Sequence, residues 1–220
     1  YLNPDPSIAD VVQSICSGTT FTVTPTNTAP DVVPTGTTYT WTVTTPAGIT
    51  GASNQATAQT SISQTLSNST SNSIVVTYTV TASFGTAPNV CTDTFIITVT
   101  VNPEPSIADV VQTICSGTTF TVTPTNTAPD VVPTGTTYTW SVAAAAGITG
   151  ASNQATAQTS ISQTLINTTS TNLDAVYTVT ATFGTAPNSC SSSFNITVTV
   201  IPNPNITDVT QTICSTGTFT

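Results

Sequence analysis

Five cysteines and nine carboxylates are the side chains in this 220-residue sequence that could do covalent or ionic chemistry, because Lys, Arg and His are all absent. A cysteine can serve as nucleophile, metal ligand or half of a disulfide, and the first two roles need particular neighbours. Without His, Lys or Arg there is no base beside a nucleophile, no Schiff-base amine, no phosphate clamp and no HExxH-type zinc site. A carboxylate pair of glycosidase type is the one catalytic device left. The recurrent acids are Asp10 and Asp31 with their copies Asp109 and Asp130, joined by Asp5 or Glu104 and by Asp93 or Asp174. They read as solvated surface charge, so the chain is expected not to be an enzyme.

The cysteine spacing leads to the organisation of the chain. Cys16, Cys115 and Cys214 are 99 residues apart, as are Cys91 and Cys190. The whole stretch 6–43 returns at 105–142 with two changes, Ser14 to Thr113 and Thr42 to Ser141. A third copy begins at Pro204, and Leu2-Asn3-Pro4 matches the Val101-Asn102-Pro103 that closes the first full copy. The sequence therefore reads as a window on a longer tandem array: residues 1–3 end one repeat, 4–102 and 103–201 are two repeats, and 202–220 start another. A period near 100 is a small domain in itself. The copies differ most at residues 44–46 and 67–77.

Two cysteines per copy suggest the bonds Cys16–Cys91 and Cys115–Cys190, with Cys214 paired to a cysteine near position 289. A metal site is disfavoured, since the spacing of 75 contains no CxxC and there is no His. Disulfides imply an oxidising compartment, and a loop of this length is worth roughly 4–5 kcal/mol in the chain-entropy model.

Net charge of −9 without one cation excludes phosphate binding of the usual kind, so nucleic acid is not an expected partner. Anionic lipid headgroups are disfavoured for the same reason, and no apolar run is long enough for a membrane span. Neighbouring repeats of the same chain are the expected partners, with self-association into filaments as a further possibility. No cofactor is expected. Calcium at the joints is a weak candidate: Asp10, Asp109 and Asp208 with Asp5 or Glu104 and Asn3 or Asn102 could meet there, but two acids per junction fall short of six to eight oxygens. Lysine-dependent isopeptide cross-links are excluded, as is every trypsin-type cleavage site.

The elements that must hold these cysteines read as strands. Threonine occupies 56 positions and alternates with Val, Ile, Phe, Tyr and Trp at period two. Ile8–Ile15 is expected as an edge strand, followed by Thr19–Thr24, a proline-rich loop over 25–36, and Thr37–Thr45 with Tyr39, Trp41 and Val43 on one face. Residues 46–54 read as turns, Ala56–Leu66 as one weak strand, and Ser67–Ser73 as a polar loop. Val76, Tyr78, Val80, Ala82 and Phe84 share the face of a long strand. After a loop over 85–90, Cys91–Val101 turns Phe95, Ile97, Val99 and Val101 inward. Pro4-Asp5-Pro6, Pro103-Glu104-Pro105 and Pro202-Asn203-Pro204 are stiff linkers.

Six or seven short strands around one Trp per copy predict an all-β fold, tandem immunoglobulin-like sandwiches. The cysteines depart from the antibody pattern, because Cys16 lies 25 residues before Trp41. A Cys16–Cys91 bond would tie the two terminal strands together as a force clamp. The residues Ile15-Cys16-Ser17-Gly18, Tyr39-Thr40-Trp41, Cys91, Phe95–Val101 and Pro103-Glu104-Pro105 resemble the PKD-like repeats of giant secreted adhesins of gliding Bacteroidota, the SprB-type gliding adhesins. The resemblance implies export to the cell surface, a PKD-like sandwich, and adhesion or display without catalytic residues. The WDFGDG-like motif of typical PKD domains is replaced by Trp41-Thr42-Val43.

The function expected is a stalk of a long extracellular adhesin, with a self-assembling fibre joined through edges Ile8–Ile15 or Ala56–Leu66 as the alternative. A glycan-stacking platform at Tyr39 and Trp41 and an ice-binding threonine face are lesser readings. N-x-S/T sequons stand at Asn68, Asn167, Asn195 and Asn205, the first two in expected exposed loops.

Overall fold

The structure is a computed structural model and describes residues 3–204 together with position 212. In the first copy the strands are β1 (Val11–Cys16), β2 (Thr19–Val23), β3 (Thr38–Val43), β4 (Ile49–Thr50), β5 (Gln55–Gln59), β6 (Ile62–Asn68), β7 (Ile74–Thr86) and β8 (Asn89–Asn102). The second copy repeats them as β9 (Val110–Cys115), β10 (Thr118–Val122), β11 (Thr137–Ala144), β12 (Ile148–Thr149), β13 (Gln154–Gln158), β14 (Ile161–Asn167), β15 (Leu173–Phe183) and β16 (Cys190–Ile201). No helix occurs among the described residues.

Each copy folds as two facing sheets. One has the order β1-β8-β7-β3-β5 and the other β2-β6-β4; their counterparts are β9-β16-β15-β11-β13 and β10-β14-β12. Period-two alternation explains the layers. Val76, Tyr78, Val80 and Ala82 of β7 and Phe95, Ile97, Val99 and Val101 of β8 turn one face inward, onto Phe21, Ile62 and Leu66 of the smaller sheet. Phe21 packs on Tyr78 with ring centroids 5.1 Å apart, and Tyr39 meets Phe95 edge-on at 6.3 Å. Burying each large side chain of this kind contributes about 1.5–3 kcal/mol. The threonines fall on the outer faces, where they pair across strands: Thr20 with Thr65 at 2.6 Å and Thr22 with Ser63 at 2.9 Å. In a chain without cations these hydroxyl pairs occupy the place of surface ion pairs.

Three expectations are corrected. Ala56–Leu66 is not one strand: β5 pairs with β3 in the large sheet, whereas β6 pairs with β2 in the small one. The chain changes sheets at Thr60-Ser61, and continuous alternation hides the crossing. The 85–90 loop of the first copy is also tighter than expected, because the β7–β8 ladder runs on to Thr86 and Asn89. Asn68, expected in an exposed loop, is the last residue of β6 and only 6% exposed. The turns over 46–54 do form, and Gly51 explains how they approach β6. Its φ is +90°, and a Cβ there would lie 2.0 Å from the Thr65 carbonyl oxygen, so only glycine fits.

Candidate functional site

The pairing of β1 decides where the cysteines go. Strand β1 lies parallel to β8, with Val11 opposite Ile97 and Cys16 opposite Asn102. Cys16 is thus at the far end of β8, while Cys91 stands near its start, opposite Phe84. Eleven residues of strand separate the two levels, about 36 Å at roughly 3.3 Å per residue. A disulfide tolerates Cα atoms only about 7 Å apart. The expected bonds Cys16–Cys91 and Cys115–Cys190 are therefore overturned, and the second copy repeats the geometry, with Cys115 opposite Ile201.

The bond that forms joins consecutive copies. Cys16 at the end of β1 is linked to Cys190 at the start of β16, with Cα atoms 5.6 Å apart across a sequence separation of 174. Parallel packing places the first cysteine of one sandwich at its exit end. The second cysteine of the next sandwich lies at its entry end, and the Pro103-Glu104-Pro105 linker brings the two ends together. The Cys16 sulfur lies 3.5 Å from the Ser189 carbonyl oxygen, in the hairpin of the second copy. Beside the bond, Asn126 Nδ2 donates to Ser71 Oγ at 3.0 Å, and Ser17, Asn68, Glu104, Ile107 and Ser192 line a crevice between the copies. Cys214 lies outside the described residues.

The polar groups on each side of this junction are held firmly. Ser17 N donates to the Asn102 carbonyl at 2.8 Å, and Asn102 Nδ2 donates to Ser14 Oγ at 3.0 Å, which ties the end of β1 to the end of β8. Asn68 is saturated: its Nδ2 donates to the carbonyls of Asn72 and Val101, and its Oδ1 accepts from the amide and hydroxyl of Thr70. Asn167 repeats the arrangement with Thr171, Val200 and Thr169. The two sequons are therefore local turns with a buried asparagine, and their amide nitrogens are not available to a glycan. Asn195 is exposed, and Asn205 lies outside the described residues.

Two of the recurrent acids serve backbone amides. Asp10 Oδ1 accepts from the Ile96 amide at 2.7 Å and Asp109 Oδ1 from the Asn195 amide at 2.7 Å, one in each copy. Ile96 is six residues from the end of β8, so Asp10 sits about 20 Å back from the linker that carries Glu104. Asp10 and Glu104 therefore stand apart and do not share a site. Among the described residues no group of three or more His, Cys, Asp or Glu converges; Asp208 lies outside them. The other recurrent acids serve the backbone as well. Asp31 accepts from the Ala9 amide and Asp93 from the Ile8 amide, so three carboxylates pin the segment that leads into β1. Surface charge alone does not describe them.

Tyr39 and Trp41 are 2% and 5% exposed, and Trp41 Nε1 donates to the Ser53 carbonyl at 3.0 Å. They belong to the core, so no stacking platform exists there. Sequence reasoning missed the inter-copy bond, and its one available signal was the question whether β1 runs parallel or antiparallel to β8.

Solved structures that resemble the chain include the SusE-like surface located polysaccharide binding protein of Bacteroides thetaiotaomicron, at 12% identity and a TM-score of 0.36, over 90% of this chain and 34% of that one. An I-band fragment of titin matches at 13% identity and a TM-score of 0.35, over 92% of this chain and 65% of that one. Human protocadherin-24 matches at 11% identity and a TM-score of 0.29, over 92% of this chain and all of that one. The chain spans about a third of the first of these proteins and just under two thirds of the second. Among curated protein sequences none matches. The sequence profile of the PKD-like domain matches residues 13–105 and again residues 112–204. With one match in each copy, the chain belongs to the PKD-like domain family as a tandem pair of its members.

Proposed function

We propose that the chain is a stretch of extender repeats in the stalk of a long extracellular or cell-surface protein, non-catalytic and mechanical in its action. The observation that carries this reading is the parallel pairing of β1 with β8. The chain enters a sandwich at the start of β1 and leaves at the end of β8, at opposite ends of adjacent strands. Tension on a sandwich without the inter-copy bond shears a ladder of six residue pairs together instead of opening them one by one. The bond between Cys16 and Cys190 reinforces the joint that such tension would load. A disulfide in this role fits an oxidising compartment outside the cytoplasm. In a gliding bacterium a stalk of this kind would serve surface adhesion and gliding, with the ligand carried elsewhere on the protein.

Assembly into fibres is the competing reading. It draws on β1 and β5 lying at the edges of the five-stranded sheet, with Val12 on β1 77% exposed. Small-angle scattering and sedimentation of the 220-residue chain over a wide concentration range separate the two. We expect an elongated monomer, unchanged by chelator. Growth into filaments with concentration would replace the stalk by the fibre.

A further inference from the structure

Within the described residues Cys91 and Cys115 have no sulfur partner. Each is the copy, 99 residues away, of a cysteine that does. Their surroundings also match a junction. Cys91 Sγ lies 3.9 Å from the carbonyl oxygen of Asn3, and Asn3 Nδ2 donates to the Asn89 carbonyl at 3.1 Å, so the end of the preceding copy already sits against this cysteine. The Asp5 carboxylate of the entry linker pushes the pKa of the Cys91 thiol up. At the other end Cys115 is exposed, and Asn203 of the next linker donates to the carbonyl of the adjacent Ser116 at 3.1 Å. Beside Cys91 the close of the preceding copy is in place, and beside Cys115 the linker to the following copy is.

We propose that Cys91 and Cys115 are half-cystines of two further staples built like Cys16–Cys190. Each repeat bonds forward through its first cysteine and backward through its second. Cys91 then takes the first cysteine of the preceding copy, and Cys115 takes the second cysteine of the following one, at position 289 on the constant offset. The array is laced at every joint, and no disulfide lies inside any single sandwich. Each staple forms by thiol–disulfide exchange with an oxidised dithiol carrier. Two thiols lose two protons and two electrons as the sulfur–sulfur bond forms, and the carrier disulfide takes them up to become two thiols. This inference rests on the tandem-array reading of the function.

The test is the chain lengthened by one more copy of residues 103–201 placed after Ile201, oxidised and mapped by non-reducing mass spectrometry of peptic peptides. Each sandwich has its own core, so the added copy is a folding unit. Cys16 should bond Cys190, Cys115 should bond the cysteine at position 289, and Cys91 and the cysteine at 214 should titrate as free thiols. In the same chain Cys115→Ser should leave position 289 as a thiol with the Cys16–Cys190 bond intact. Bonds Cys16–Cys91 and Cys115–Cys190, or a free thiol at Cys115 beside an intact Cys16–Cys190 bond, would overturn the lacing. Sedimentation of the same sample keeps the two readings apart, since filament growth removes the stalk whatever the thiol map shows.

Discussion

Tyr78 and Tyr177 carry their hydroxyls into the sandwich and donate to Gln64 and Gln163, each at 2.8 Å. Burial pushes both pKa values up to about 12 from the ordinary 10. A group whose folded pKa is raised holds its proton more tightly when folded, so its contribution is complete below the unfolded value and lost as pH climbs to the folded one. The contribution of the two tyrosines should therefore stay level up to about pH 10 and fall between about 10 and 12. Urea unfolding across that range should show a shallower fall in Tyr78→Phe than in the parent. Equal slopes would mean that Tyr78 is not the group responsible. The inward position of this tyrosine was legible in the sequence from period two alone. The burial of Asn68 was not, because Asn-Ser-Thr spells a sequon and an asparagine turn in the same letters, and only the ends of β6 and β8 decide between them.

Strand β1 shows how an element can be found while its partner's direction stays hidden. Alternation placed it near residues 8–15 and at an edge, both close to what forms, but hydrophobic pattern does not say whether a strand runs parallel or antiparallel. An antiparallel β1 would bring Cys16 down to Cys91; the parallel one carries it to the opposite end. Asp10 helps to hold that register by accepting the Ile96 amide. Removing the acceptor in Asp10→Ala should cost about 1.5–3 kcal/mol, the usual range for a hydrogen bond to a charged group. The loss should appear in the urea midpoint and in faster hydrogen exchange at Ile96. Unchanged exchange at that amide would show that the carboxylate does not secure the strand. The crossing at Thr60-Ser61 was hidden for a related reason, since both β5 and β6 keep the same alternation while serving different sheets.

Two sandwiches joined by the Cys16–Cys190 bond have a covalent shortcut between their outer ends. It runs through thirteen residues from Pro4 to Cys16 and thirteen from Cys190 to Pro202. Pulled straight, that path is about 90 Å long at roughly 3.4 Å per residue, against nearly 700 Å for the uncrosslinked chain. Folded, each sandwich is about 45 Å along the 14 residues of β8, so the pair measures about the same as its shortcut. Single-molecule stretching between Pro4 and Pro202 should give almost no added contour length in the oxidised chain. Cys16→Ser should release several hundred ångströms. Long unfolding steps in the oxidised parent would mean that the bond does not lie in the line of load.

A tether with no slack behaves differently from one that unravels. Chains of unlinked domains dissipate a sudden pull as heat, yielding one module at a time and refolding afterwards. Here the sheets can lose their order without the ends moving apart, so a jerk applied at one end arrives at the other almost undiminished. Such a strand is a transmission line for force, and what gives way first must be its attachment.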